Sequence, residues 1–315
     1  IITAYYFAYT PLQIFVGTLM DLYGVRVLLT IAILFCAAGA ALFGVNPDVY
    51  VGFLGRFFIG CGSAFAFVGV LKVASDWLPH RYFAILSGLT TSMGMLGAIM
   101  GEVWVSHLVK LYSIPYCLYA SSIIAVILAV LVVIFVRDKT VPTRKQRKTS
   151  LNNELVSLFK IILEVLSNKQ ILWIGLLGLF MYGPSSIFSD LWGVTYLQKQ
   201  YQFSAEQAAF YSSFVYLGWV IGGPFFGYIS DKVHLRRTPI QYGAIAALIV
   251  SVLLLYLPGL PPLVLGSLLV LMGFFSSAQV LVFAYAIDLS NPSHSGTAIA
   301  ITNMLVVCSF FLLVL

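Results

Sequence analysis

The chain alternates between long apolar runs and short polar breaks. A membrane crossing needs about 20 apolar residues in a helix. On that template the pattern predicts ten transmembrane spans, at roughly 2–20, 27–44, 49–74, 83–107, 114–136, 171–197, 206–229, 239–257, 262–287 and 295–315. Residues 137–169 break the pattern. They open with a solvated basic run, Arg137-Asp-Lys139 and Arg144-Lys-Gln-Arg147-Lys148. Leu151, Leu155, Leu158, Phe159, Ile162 and Leu166 then recur at helical spacing, with Lys160 and Glu164 opposite. That spacing predicts an amphipathic helix lying on the membrane surface. The chain begins and ends inside apolar runs, without an initiator Met or a signal peptide, so the reading expects a fragment that has lost its ends.

Composition narrows the class. The 315 residues are 61% hydrophobic and only 9% charged, where a soluble domain carries about 25% charged residues. Such a chain cannot keep a polar surface in water. Lipid offers backbone groups no partner outside their own helix, so the expected class is an all-α membrane protein. The net charge of +6 does not point to nucleic acid, because the basic residues sit in short loops between apolar spans. Loops on one side hold thirteen Lys and Arg residues; the other side holds only Lys110 and Lys199. This asymmetry puts the basic side in the cytoplasm. Cys36, Cys61, Cys117 and Cys308 lie in apolar helical runs with no CxxC or Cys/His spacing, so neither a disulfide nor a metal site is expected.

Two stretches repeat one device. Gly17-Thr-Leu-Met-Asp21-Leu-Tyr-Gly24-Val-Arg26 is answered by Gly227-Tyr-Ile-Ser-Asp231-Lys-Val-His-Leu-Arg236, with Asp21 and Asp231 210 residues apart. Each copy leaves one apolar span and enters the next. Each places a carboxylate at a helix end and a guanidinium five residues later. Such a carboxylate is stabilised by an Arg across the turn or by a nearby helix N-terminus. The pattern resembles the signature loop of the major facilitator superfamily, Gly-x-Leu-x-Asp-Arg/Lys-x-Gly-x-Arg/Lys, between helices two and three, and its degenerate repeat between helices eight and nine. The first copy departs at Leu22, where a basic residue is usual, and the second at His234, where the glycine is usual.

The resemblance implies two pseudo-symmetric six-helix bundles, of which helices two to eleven are present. Residues 1–136 would form the N-terminal bundle (helices two to six), 137–170 a basic cytoplasmic linker with an amphipathic helix, and 171–315 the C-terminal bundle (helices seven to eleven). It also implies that Gly17, Asp21, Gly24, Arg26, Gly227, Asp231 and Arg236 form a cytoplasmic gate. The repeat extends to Asp76-Trp-Leu-Pro79-His80 and Asp288-Leu-Ser-Asn-Pro292-Ser-His294. Parallel repeats about an axis along the membrane normal are how such transporters are built.

Charges within a membrane are costly and are functional candidates by default. Arg56 lies ~9 Å below the outer end of its span, in Gly55-Arg56-Phe-Phe-Ile-Gly60-Cys-Gly62, which resembles the fourth-helix motif Arg-x-x-x-Gly-x-Gly of proton-coupled members. The alternative is an Arg that snorkels and anchors the helix end. Glu102 follows Gly88, Gly97 and Gly101, a spacing similar to the front half of the fifth-helix antiporter motif. That motif has Pro where Glu102 stands, which argues against an antiporter. Asp190 follows Pro184 in Tyr182-Gly-Pro-Ser-Ser186, and broken helices line transport cavities. Arg56, Glu102 and Asp190 are expected to form one charged cluster for proton coupling. Lys72 and Asp76, four apart, read as a local pair. Tyr5, Tyr9, Gln13, Phe67, Tyr182, Gln279, Phe283 and Asn303 sit near mid-membrane and are expected to line an amphipathic substrate cavity.

No Walker loop, HExxH or Ser/His/Asp arrangement is present, so neither ATP drive nor an enzyme activity is expected. The reading is a secondary active transporter working by alternating access, without cofactor or metal, importing an amino acid, nucleoside or organic acid with protons. Its expected partners are the solute, protons and membrane lipids, and its expected state a monomer in a bacterial inner membrane. The stretch Tyr5-Tyr-Phe-Ala-Tyr9-Thr-Pro-Leu-Gln13 resembles a bacterial subgroup with phagosomal nutrient transporters. The alternatives are a drug or siderophore efflux antiporter, and a non-transporting receptor or scaffold on the same fold.

Overall fold

The computed structural model describes residues 2–45, 48–101, 106–139, 151–257 and 259–309. These residues form fourteen α-helices. They are α1 Ile2–Tyr23, α2 Val25–Val45, α3 Val49–Trp77, α4 Phe83–Met100, α5 Ser106–Tyr112, α6 Ile114–Phe135 and α7 Leu151–Ser167, then α8 Lys169–Ile187, α9 Gly193–Tyr201, α10 Ala205–Val233, α11 Arg237–Tyr256, α12 Pro262–Ser276, α13 Leu281–Asp288 and α14 Ser295–Val307. Eight helical segments among the described residues are long and apolar enough to cross a membrane. The ten-span reading is therefore approximate. Its first and last spans correspond to α1 and α14, and its span at 171–197 is part of one helical rod, Lys169–Tyr201, with a π-helical turn at Phe188–Trp192.

Helices that end in water carry their own stop and start signals. Ser204 and Gln207 form a reciprocal capping box at the start of α10. Pro262 opens α12, where its missing N–H costs nothing. The N-terminus of α2 takes its cap from far along the chain: Asp138 Oδ1 accepts from the Val25 and Arg26 amides at 2.6 and 3.1 Å. Trp77 Nε1 donates to the Arg137 carbonyl, so the residues after α6 are tied to the end of α3.

The chain folds into two compact units that do not follow sequence order. One comprises residues 1–77, 107–172 and 289–304; the other comprises 78–106, 173–288 and 305–315. In the first, α2 packs on both α3 and α6, and α1 packs on α3 and receives α14. In the second, α10 packs on α4 and α12, and α11 on α12. A small residue permits each close approach: a Cβ at Gly17 would enter the Gly296 carbonyl oxygen, and one at Gly227 would sit 2.6 Å from Ile85 Cα.

The predicted amphipathic helix is α7. Ile162 and Val165 are buried, and α7 packs on α1. Val156, Phe159 and Leu163 are exposed. The basic run at 140–150 lies outside the described residues.

Candidate functional site

The two signature carboxylates sit in equivalent places. In the first unit, Asp21 leaves the end of α1 and meets the start of α14. Its Oδ1 accepts from the Gly296 amide at 3.1 Å, and its Oδ2 from the Thr297 amide at 2.9 Å and hydroxyl at 2.8 Å. Lys72 Nζ, on α3, stands 3.0 Å from Asp21 and 2.9 Å from Asp76, and donates to Ser295 Oγ at 3.1 Å. Both partners are inside the protein: the Lys72 and Asp21 side chains are 9% and 2% exposed. An anion at a helix N-terminus with its own ammonium partner is doubly compensated.

In the second unit, Asp231 leaves the end of α10 and meets the start of α4. Its Oδ2 accepts from the Ile85 amide at 2.9 Å. Arg236 Nη1 donates to Asp231 Oδ1 at 2.6 Å and to Ser230 Oγ, while its Nε reaches Asp288 Oδ2 at 3.1 Å. His80 Nε2 lies 2.7 Å from Asp288 Oδ1. Ile85 and Thr297 are 212 residues apart, as are Asp76 and Asp288. The two latches are thus copies of one construction: a carboxylate on the helix entering the loop, amides at the start of a helix from the other sequence half, and a cation between that carboxylate and a second one.

The cation differs between the copies. Arg236 serves Asp231, as the five-residue spacing suggests. Arg26 does not serve Asp21; its guanidinium donates to the Val133 carbonyl at the end of α6. Lys72 takes its place. The sequence reading saw Lys72 only beside Asp76, and that contact is present, but Asp21 and Ser295 complete the site. Lys72, Asp288, His80 and Thr297 are the residues that sequence reasoning left out of the gate. The extension of the repeat to Asp76 and Asp288 was the available signal.

Between latch and helix, the turn itself is special. Gly24 has φ +86°, and its counterpart His234 has φ +56°. Both occupy the left-handed region that favours glycine.

Of the three intramembrane charges, Arg56 places its guanidinium over the Phe43 ring on α2, 5.2 Å from the centroid, with a buried Nε that has no hydrogen-bond partner among the described residues. Glu102 lies outside the described residues. Asp190 stands in the π-helical turn that follows Pro184. Its Oδ1 accepts from Tyr216 Oη at 2.5 Å and from Ser189 Oγ at 3.1 Å, and the residue is exposed. Tyr216 was missed in the sequence, although it lies 210 residues after Tyr6, the same offset that separates Asp21 and Asp231. Arg56 belongs to the first unit and Asp190 to the second.

The proposed cavity residues divide between the units. In the first, Tyr5 stacks on Tyr9 at 5.5 Å, Asn303 Nδ2 donates to Tyr9 Oη at 3.1 Å, and Gln13 Nε2 donates to the Ala64 carbonyl at 2.8 Å. Phe67 is half-buried on α3. In the second, Tyr182 meets Trp219 edge to face at 5.7 Å. Gln279 lies in a 3-10 turn, Ser277–Val280, that interrupts the span between α12 and α13; its Nε2 is buried without a hydrogen-bond partner among the described residues. Phe283 is buried in α13. Among the described residues no group of three His, Cys, Asp or Glu could hold a metal.

An all-helical, multi-pass membrane protein with one loop latch built twice is the class that fold and site define. The family model described as Major Facilitator Superfamily matches residues 1–313, and the chain belongs to that family. It is 27% identical over 150 residues to the MFS-type transporter gkaD of Penicillium citrinum, which covers 47% of this chain and 26% of that protein. It is 21% identical over 259 residues to a protein of Cupriavidus necator named as a probable sulfoacetate transporter, SauU, covering 80% of this chain and 60% of that one. The chain therefore spans less than two thirds of these curated relatives. The crystal structure of the transporter FucP in the outward conformation superposes with a TM-score of 0.72 at 17% identity, over 98% of this chain and 80% of that one.

Proposed function

We propose that the protein is a secondary active transporter that takes up a small organic solute together with protons, by alternating access, in an inner (plasma) membrane. The observation that carries this reading is Asp190. It is an exposed carboxylate on the π-helical turn of a membrane-length helical rod, and its described partners are hydroxyls. A carboxylate without a cation beside it in low dielectric is suited to take and release a proton. Glu102 is the second candidate for that role, and Arg56 for pairing with it. Support comes from the Escherichia coli FucP structure, whose protein is named a fucose:proton symporter, and from SauU, whose name keeps organic acids within the solute class alongside amino acids and nucleosides.

In this reading the latches at Asp21 and Asp231 hold the cytoplasmic side shut while the protein faces outward. Opening inward withdraws the amides of α14 and α4 from the two carboxylates. Lys72 and Arg236 remain to neutralise them.

The test is uptake into proteoliposomes of the full-length protein under an imposed inward proton gradient, with pools of amino acids, nucleosides and organic acids. The expected result is accumulation that collapses with a protonophore and falls about tenfold or more in Asp190→Asn, the loss typical of a group whose proton transfer matters. Gradient-driven movement outward would replace uptake by efflux. Unchanged gradient-driven uptake in Asp190→Asn would remove Asp190 from the coupling.

A further inference from the structure

The π-helical turn that carries Asp190 leaves one carbonyl over. The Gly193 amide reaches back five residues, to the Phe188 carbonyl. In an α-helix it would reach back four, to Ser189. The Ser189 carbonyl thus loses its helical donor, and a buried carbonyl needs another partner. Ser212 supplies one from α10, its hydroxyl donating at 3.4 Å. Gly193 allows the approach: a Cβ there would sit 2.8 Å from Ser212 Oγ.

Ser212 belongs to a stripe. Ser212, Tyr216 and Trp219, spaced by four and three, share one face of α10. They are 0%, 7% and 2% exposed. Each meets the helical rod Lys169–Tyr201: Ser212 at the Ser189 carbonyl, Tyr216 at Asp190 and Trp219 at Tyr182. All six residues lie in the second unit. A face made only for packing gains nothing from two buried hydroxyls. Here one serves the turn and the other its carboxylate.

The two donors to Asp190 are unequal. Ser189 Oγ lies 3.1 Å from Asp190 Oδ1, but also 2.9 Å from the Ser185 carbonyl and 3.3 Å from that of Ser186. It has one proton to give. Tyr216 Oη, at 2.5 Å, is the nearer donor. Both hydroxyls meet Oδ1, and among the described residues none bonds Oδ2.

We propose that Tyr216 is the positioning residue for Asp190 in proton uptake. Its hydroxyl holds Oδ1 as an acceptor, so the incoming proton forms its O–H bond at Oδ2. On release that bond breaks and the proton leaves to water, while Tyr216 keeps its own proton throughout. Ser212 holds the π-helical register that brings Asp190 to Tyr216. The proposal rests on the transporter reading, in which Asp190 carries the coupled proton.

The test uses the full-length protein in proteoliposomes. Infrared spectroscopy follows the carboxylic C=O band that appears on acidification and is missing in Asp190→Asn. A hydrogen bond accepted by a carbonyl lowers its stretching frequency, so the expected result is an upward shift of that band in Tyr216→Phe. Gradient-driven uptake from pools of amino acids, nucleosides and organic acids should fall about tenfold in Tyr216→Phe, the scale of one hydrogen bond to a charged group. Adding Tyr216→Phe to Asp190→Asn should cost nothing more, since the two residues act as one unit. A residue that merely packs would leave the band in place and add its own loss. An unshifted band or additive losses would therefore overturn the positioning role while the transporter reading stands. Should Tyr216→Phe not fold, Ser212→Ala decides: uptake is expected to fall about threefold, the scale of a neutral hydrogen bond, and this loss should vanish in the Asp190→Asn background. Unchanged uptake in Ser212→Ala, or a loss that persists in that background, overturns the proposal. The absence of any Asp190 band overturns the proton step itself, and the positioning role with it.

Discussion

Two residues, Gly24 and His234, hold one backbone conformation with different side chains. A left-handed φ is free for glycine and costs other residues roughly 1–2 kcal/mol. Gly24 therefore fits its turn, and His234 is held in its turn by the surrounding latch. His234→Gly is expected to be neutral or stabilising by up to about 1 kcal/mol, and Gly24→Ala destabilising by a similar amount. Thermal unfolding of the detergent-solubilised protein checks both, and a large loss in His234→Gly would show that the imidazole itself is used. At this scale the sequence was informative about conformation and poor about partners. The signature located Asp21, Asp231 and both turns. It could not show that Arg26 turns to Val133 while Lys72 takes Asp21, because a spacing of five along the chain fixes which groups can meet and not which competitor lies closer in space.

Among the elements, α10 shows how a helix break is repaired by its neighbour. Pro224 has no N–H, so the Val220 carbonyl one turn earlier loses its helical donor. Ser92, on α4, brings its hydroxyl within 2.8 Å of that carbonyl and 2.9 Å of its own Gly88 carbonyl. One proton is shared between two acceptors. Ser92→Ala is expected to destabilise by about 1–3 kcal/mol, the cost of leaving a buried carbonyl unpaired. A matched measurement on Thr90→Ala, whose hydroxyl bonds only within α4, should show much less. The helices were legible because the apolar runs are long and their breaks polar. The π-helical turn at Phe188–Trp192 and the 3-10 turn at Ser277–Val280 were not, since hydropathy is blind to a change of hydrogen-bond register. Only Pro184 pointed to the first. Of the candidate site, the mid-membrane polar residues could be picked out singly. Their grouping could not, because it depends on which helix each one faces.

For the whole molecule, the proposed cycle has the two copies of the latch acting as a pair. Asp21→Asn removes charge from the α14 amides and leaves Lys72 with Asp76 alone; Asp231→Asn does the same to α4 and Arg236. Each is expected to weaken its latch by about 2 kcal/mol, the scale of a hydrogen bond to a charged group. In the proposed cycle both bias one two-state equilibrium, so the double variant should lose more uptake than either single one, with expression unchanged. Solute uptake by the three variants, normalised to protein incorporated, checks this. Full uptake in Asp21→Asn would deny the latch a part in transport.

The latch at Asp21 also sets a timetable. The Gly296 amide that it holds is 275 residues away along the chain. At about 5–20 residues per second, a ribosome needs roughly 15–55 s to cover that distance. Through that interval α1 is already made and its carboxylate has no helix start to rest on. Lys72, only 51 residues downstream, arrives within about 3–10 s. The buried lysine is thus the first counter-charge that Asp21 meets, and the half-built protein can carry a neutral pair at the end of α1 until the last described helix arrives to close over it.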